Sequence, residues 1–417
     1  MSILSRVIWF CVCILCSTCQ NNLPEIKVGI LHSLSGTMAI SEKAVVNATL
    51  MAIEEINQKG GLLGKKIVPI VVDGKSDLDV FAKEAERLIT QEKVSVIFGC
   101  WTSASRKTVK PIFEKQNHLL FYPIQYEGLE SSPNIVYTGA APNQQIIPAT
   151  KWALDNLGKK FFIVGSDYVF PRVASAIMSD LIKQLGGEVV GDEYVLLGAK
   201  EVKHIIDKIK IAKPDVILNN INGDTNIEFF RQLRLSGISH QQIPTISFSI
   251  AEDELRSLEV SQMVGDYTAW NYFQSIDSEN NRAFVANYKR KYGTQSVTDD
   301  PIEAGYISVY LWSKAVQKAG TFDVTKVRKN LANQSFIAPG GLVYIDETNQ
   351  HIWKTVRIGQ FKADGQVEIV WSSIKPVKPL PYPKSRKKEE WDKFLVTLYD
   401  RWNGNWANSG ELNTPTK

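Results

Sequence analysis

Apolar and polar positions along this chain switch repeatedly between two periods. Ile26–Leu31 is a short apolar run and predicts a buried strand. Ser41–Gln58 then carries Val45, Ala48, Ala52 and Ile56 at helical spacing, and Gly60-Gly61 ends that helix. The pattern goes on as strand Ile67–Val72, helix Leu78–Glu92 and strand Val94–Phe98. A helix from Ser103 should kink or end at Pro111, where a backbone N–H is missing. Leu119–Tyr122 and Ile135–Tyr137 are further strands.

A second series follows. Asn143–Leu157, Arg172–Leu185, Val202–Ile211 and Asn226–Leu235 read as helices, between strands at Phe161–Val164, Val189–Leu196, Val216–Asn219 and Pro244–Phe248. Such alternation implies parallel sheets wrapped by helices on both faces. Two series imply an α/β chain of two Rossmann-like lobes, with ligands outside the carboxyl ends of the strands and in the cleft between lobes. Helical spacing resumes at Asn280–Tyr292 and Ile302–Lys318. After a less regular stretch come a proline-rich connector (Pro376, Pro379, Pro381, Pro383) and an amphipathic helix, Glu389–Trp402. Its stripe of Trp391, Leu395, Leu398 and Trp402 suits packing back onto a lobe, with a partner or membrane surface as the alternative.

Composition narrows the function classes. The 417 residues are 44% hydrophobic and 22% charged, with a formal net charge of +4, and no basic block is interleaved with aromatics. Nothing there favours nucleic acid. Near the N-terminus Arg6 precedes the apolar run Val7–Leu15, too short for a membrane span, with small or polar residues after it. That is the layout of a secretory signal peptide, taken as residues 1–19, and it predicts a periplasmic or otherwise extracytoplasmic protein. Cys11, Cys13, Cys16 and Cys19 lie in this segment, which leaves Cys100 in the mature domain. No disulfide framework or cysteine metal site follows. Cleavage before Cys19 would leave a thiol able to carry a lipid anchor.

Catalytic patterns are missing. His32, His118, His204, His240 and His351 are scattered, and no serine sits in a Gly-x-Ser-x-Gly elbow. Gly60-Gly61-Leu62-Leu63-Gly64-Lys65-Lys66 is one residue short of a phosphate loop, lacks the hydroxyl after lysine and follows a helix, so it reads as a turn. No cofactor or metal is implied, and the chain is expected not to be an enzyme.

Polar and aromatic residues instead collect at strand ends: Trp101, Thr102 and Ser103; Tyr122, Pro123, Gln125 and Tyr126; Asp167 and Tyr168; Asn222, Gly223 and Asp224; Phe248 and Ser249. Each has a local alternative. Ser103 and Asp224 are plausible helix N-caps, and Trp101 and Tyr122 are plausible core residues. Their recurrence across both lobes is the stronger signal and makes them candidate ligand-binding residues.

With these loops in hand, the chain resembles the type I periplasmic-binding family, and within it the urea-binding components of ABC transporters and related short-chain amide binders. The resemblance rests on Gly99-Cys100-Trp101-Thr102-Ser103 with Arg106-Lys107, Phe121-Tyr122-Pro123-Ile124-Gln125-Tyr126-Glu127-Gly128, Gly139-Ala140-Ala141-Pro142-Asn143-Gln144-Gln145, Gly165-Ser166-Asp167-Tyr168, Ile221-Asn222-Gly223-Asp224, Ala269-Trp270-Asn271-Tyr272-Phe273-Gln274-Ser275 and Asp300-Pro301-Ile302-Glu303-Ala304. It spans roughly Ile26 to Trp371. It implies a first lobe of residues 24–141 and 271–340, a second of 142–270 and 341–373, a three-segment hinge between them, and a separate connector and helix at 374–417. It also implies delivery of solute to the permease subunits of an ABC transporter.

Urea is small, planar and uncharged, with four N–H donors and one carbonyl, and its burial is tolerable only if nearly all of these are paired. Asp224, Gln125, Ser103 and the tyrosine hydroxyls offer acceptors; Ser103 or Tyr168 can donate to the carbonyl; Trp101 and Tyr122 supply flat walls. An amino acid, branched-chain or other, is the alternative ligand. An amide-sensing regulator and an amidohydrolase are alternatives of other classes.

Overall fold

The computed structural model describes residues 23–410, so the N-terminal segment and Cys19 lie outside the described residues. The first series forms β1 (Glu25–His32), β2 (Lys66–Asp73), β3 (Ile97–Gly99), β4 (Leu120–Tyr122) and β5 (Ile135–Tyr137), a parallel sheet in the order β2-β1-β3-β4-β5. Strands β3, β4 and β5 are short apolar runs buried on both faces, as parallel sheets require, while β2 at the sheet edge is only partly buried. Helices Ala39–Gln58 and Asp300–Ala319 pack together against it, around Trp312, Phe98 and Phe121. The second series forms β6 (Lys160–Ser166), β7 (Glu188–Val195), β8 (Val216–Asn220), β9 (Thr245–Ser247) and β10 (Tyr267–Trp270).

The less regular stretch contains strands that the pattern did not reveal: β11 (Ser335–Ala338), β12 (Gly341–Ile345), β13 (Ile352–Trp353), β14 (Arg357–Phe361) and β15 (Val367–Ser372). The last two join the second lobe antiparallel, giving the order β15-β14-β10-β9-β8-β6-β7. β11, β12 and β13 form a small antiparallel sheet. Val343, Ile345 and Ile352 bury into the first lobe's core with Ala338. The chain therefore stays with the first lobe past the boundary expected at residue 340 and leaves it after β13: β12 and β13 extend the β11 ladder edge to edge, and their apolar face packs on the first lobe's core.

The helix at Ser103 also differs from expectation, running through Pro111 to Lys115. Residues 388–401 form the C-terminal helix, which packs Trp391, Leu395 and Leu398 into the second lobe's core, with Trp402 just beyond its end. Arg386 anchors it through two 2.8 Å hydrogen bonds to Asp180.

Three segments cross between lobes, at 138–145, 270–274 and 354–356. Asn271 ties them together. Its Nδ2 donates to Gln144 O (3.0 Å) on the first crossing and Thr355 O (3.1 Å) on the third. Its own N–H donates to Asp300, which pairs with buried Lys354 at 3.0 Å. The proline-rich connector lies along this hinge. Val377 N donates to Lys354 O, Gln144 Nε2 to Val377 O, and Leu129 N of the first lobe to Pro381 O, each at 2.8 Å.

Candidate functional site between the lobes

At the end of β3 the chain turns through Cys100, whose φ is +64°, and buries Trp101. Thr102, not Ser103, caps the following helix: its Oγ1 accepts from Ser105 N at 3.0 Å. Ser103 is therefore free to donate its hydroxyl to the Glu127 carboxylate. Arg106, one turn on and fully buried, donates to Ser103 Oγ (3.0 Å), Glu127 (3.2 Å) and Glu130 (3.0 Å). Lys107 also pairs with Glu130 at 2.9 Å.

The two tyrosines at the end of β4 serve this buried network. The Arg106 guanidinium lies 4.7 Å from the centre of the Tyr122 ring and 4.5 Å from that of Tyr126. The Tyr122 hydroxyl donates to Trp101 O at 2.6 Å. Tyr126 donates to Glu130 O at 2.9 Å, and its ring stacks on Tyr137 with His351 beside them. Both thus pack inside the first lobe, where sequence reasoning expected Tyr122 as a wall of the cleft. Pro123 is buried between them. Gln125 reaches across the cleft, its Nε2 donating to Phe248 O of the second lobe at 2.9 Å.

In the second lobe, Asp167 pairs with Arg172 at 2.7 Å, and Tyr168 is buried at the start of the helix Val169–Gln184. Burial pushes the Tyr168 phenol well above its ordinary pKa, with Tyr122 and Glu127 adding to the effect, so it stays a neutral hydroxyl facing the first lobe's network. Asn222 turns back to Asn220 O, and Ser249 donates to Ile221 O. Asp224 stands at the N-cap position of Thr225–Leu235 without capping it. Its carboxylate instead accepts from Thr37 Oγ1 of the first lobe and from Lys200, each at 2.5 Å. Gly223 (φ +69°) lies so close to Thr37 that a Cβ there would sit 2.8 Å from its Oγ1. Asp224 is accordingly a contact between lobes, neither a helix cap nor an open acceptor.

Two buried polar atoms at the adjoining ends of β3 and β4 have no hydrogen-bond partner among the described residues: Trp101 Nε1, a donor, and Gln125 Oε1, an acceptor. A cavity of about 370 Å³ opens between the lobes, lined by Ser33, Thr37, Glu42, Ser76, Asp77, Asp79, Thr102 and Tyr168, among others. Of the sequence-predicted residues, only Thr102 and Tyr168 line it. Reasoning from sequence missed the loops after β1 and β2, although Ser33, Ser35 and Thr37 follow a strand end as the chosen loops do. The cavity's charged lining is entirely acidic: Glu42, Asp77 and Asp79, with no lysine or arginine. Glu42 is held by His32 Nδ1 and Ser33 N, both at 2.8 Å.

A second acidic group lies deeper at the lobe interface. Glu252 Oε1 accepts from Gln274 N at 2.7 Å, and Asp253 N donates to Asp299 at 3.3 Å. Burial pushes the Glu252 carboxyl up to about 8 and that of Glu254 to about 7.

A family model, described as a periplasmic binding protein domain, matches residues 26–388. The chain belongs to the periplasmic binding protein family. Among curated proteins, Leu/Ile/Val-binding protein homolog 6 of Brucella melitensis biotype 1 is 24% identical over 351 residues, covering 81% of this chain and 88% of that protein. A match of 37% identity to a protein named limonene hydroxylase, from Geobacillus stearothermophilus, spans 117 residues, 28% of this chain and only 21% of that one. Solved structures show the same two-lobed type I fold. A solute-binding protein of an ABC transporter from Rhodopseudomonas palustris BisB5, in complex with 3,4-dihydroxybenzoic acid, superposes with a TM-score of 0.76 at 24% identity, covering 85% of this chain and 98% of that one. LivJ of Streptococcus pneumoniae, in complex with isoleucine, gives 0.73 at 22%, covering 85% and 100%. Membership in this family makes the chain a solute-binding component rather than an enzyme.

Proposed function

We propose that this periplasmic binding protein is the extracytoplasmic solute-binding component of an ABC transporter, and that its solute is urea or a short-chain amide. The carrying observation is the pairing of Trp101 Nε1 with Gln125 Oε1, both buried and unpartnered among the described residues. One donates and one accepts, which is the complement of a carboxamide: a carbonyl to receive the indole N–H and an N–H to give to the glutamine oxygen. Their backbones are near each other, since the Tyr122 hydroxyl lies 2.6 Å from Trp101 O and 3.5 Å from Gln125 O.

The charge of the neighbouring cavity, which Thr102 lines and Trp101 and Gln125 do not, supports the same reading. A benzoate, as found in one structural relative, brings a carboxylate toward Glu42, Asp77 and Asp79, where like charges repel. Urea brings N–H donors and no charge. An amino acid is the second reading, because the same carboxylates suit its ammonium; the Leu/Ile/Val-binding relatives make it worth testing alongside. Solute bridging the strand ends of both lobes would favour the closed arrangement that permease subunits read. Export and a lipid anchor at Cys19 belong to the same proposal.

Trp101→Phe tests it. The variant keeps an aromatic ring and loses one N–H, so urea affinity should fall about tenfold, roughly 1.4 kcal/mol. Calorimetry on the folded variant reads this directly. Unchanged affinity would remove Trp101 from the site and the carboxamide argument with it.

A further inference from the structure

The cavity has a wall that belongs to neither sheet. Beyond the C-terminal helix, Asn405, Ala407, Asn408 and Ser409 line it together with Tyr168 and the loops of the first lobe. This tail is fastened at several points. Ala407 forms a β-bridge with Tyr168, and Val169 N donates to Trp406 O at 3.0 Å. Asn408 holds Asp167 twice, its N–H on Asp167 O (2.9 Å) and its Nδ2 on the Asp167 carboxylate (2.7 Å). The tail also touches the first lobe, where the Lys107 ammonium sits 4.9 Å from the centre of the Trp406 ring. Tyr399 packs against the same ring, with centroids 4.7 Å apart. The connector before the helix has already crossed the hinge to reach Leu129. Residues 374–409 therefore run from the second lobe over the hinge, back along the second lobe, and end on the mouth of the cleft.

We propose that residues 405–409 are a built part of the solute site, and that Asn408 is a positioning residue that sets Tyr168 through Asp167. Tyr168 follows Asp167 directly, so a clamp on both the backbone and the carboxylate of Asp167 limits where the phenol ring can lie. Asn405 and Asn408 add carboxamides to a lining that also holds hydroxyls, carboxylates and the apolar side chains of Met38, Leu78, Phe81 and Leu197, and so give a polar solute further hydrogen-bond partners. The inference rests on the reading of this cavity as the solute site.

The experiment compares the wild-type chain, Asn408→Ala and a truncation after Gly404, each titrated calorimetrically with urea, acetamide, leucine and benzoate. Ligand-free melting and hydrogen exchange at Val169 are recorded in parallel. The expected result is about tenfold weaker binding in Asn408→Ala, through faster dissociation, with ligand-free melting unchanged. The truncation should lose more and expose the Val169 amide to exchange. Wild-type affinity in the truncated, folded chain would overturn the inference. If the wild type binds leucine or benzoate but neither urea nor acetamide, the amide reading fails while the comparison proceeds on the ligand that binds. If it binds none of the four, the cavity is not their site and the inference falls with it.

Discussion

Arg106→Met is expected to destabilise the folded chain by about 3–5 kcal/mol, the usual consequence of removing one partner from a buried ion pair. Arg106 is fully buried and holds the similarly buried Glu127 and Glu130, at 3.2 and 3.0 Å. Methionine fills much of the volume but leaves Glu127 without its guanidinium and Glu130 with Lys107 as its one remaining cation, beside the Tyr137 hydroxyl. The Tyr122 and Tyr126 rings also lose the cation they pack on. Guanidinium chloride is the denaturant of choice, since urea is the proposed ligand. Acid should shrink the difference. Burial raises the Glu130 pKa, but Arg106 and Lys107 more than reverse this and hold it well below the ordinary carboxylate range. A depressed folded pKa gives stability that is present above the unfolded value, about 4.3, and lost as pH falls below it. The wild type should therefore approach the variant below about pH 4. A loss under about 1 kcal/mol at pH 7 would mean that the network contributes no more than an exposed pair.

Asn271→Ala is expected to cost about 2–6 kcal/mol and to loosen the hinge. Two buried carbonyls, Gln144 O and Thr355 O, lose their donor, and each unsatisfied group costs about 1–3 kcal/mol. The side-chain oxygen has no partner among the described residues, so its removal should cost little beyond packing. The loss falls on the junction of the three crossings, so the radius of gyration of the ligand-free variant in solution should exceed that of the wild type. Equal stability and equal dimensions would show that the crossings are held by packing alone.

The fold was legible wherever a strand had a continuous apolar run and a helix had several turns of period. Ile26–Leu31 and Val216–Asn219 became β1 and β8 with small changes at their ends. Legibility failed where strands are only partly buried. The three-residue β4 and β5 are apolar and buried throughout and were legible, whereas β11, β12 and β15 mix exposed and buried positions and carry no continuous buried run, so the sheet beyond residue 340 was not seen. At the site, strand ends marked the right region, because every loop at the carboxyl end of a parallel sheet faces the cleft. The direction of each side chain was not legible. Tyr122 and Tyr126 look like binding aromatics until Arg106, one helical turn beyond Thr102, draws both rings inward. Asp224 looks like a cap until Thr37, far away in sequence, is seen against it. The tail wall depends on contact between Asn408 and Asp167, a pairing with no local signature.

The central claim is that the cleft takes a small uncharged amide. Its most direct test is calorimetric titration of the mature wild-type chain with urea, acetamide, formamide, leucine and benzoate at neutral pH. The account predicts saturable one-site binding of urea or one of the two short amides, with leucine and benzoate at least a hundredfold weaker, a margin of about 2.7 kcal/mol. Tight binding of leucine or benzoate with no heat from urea, acetamide or formamide would contradict it.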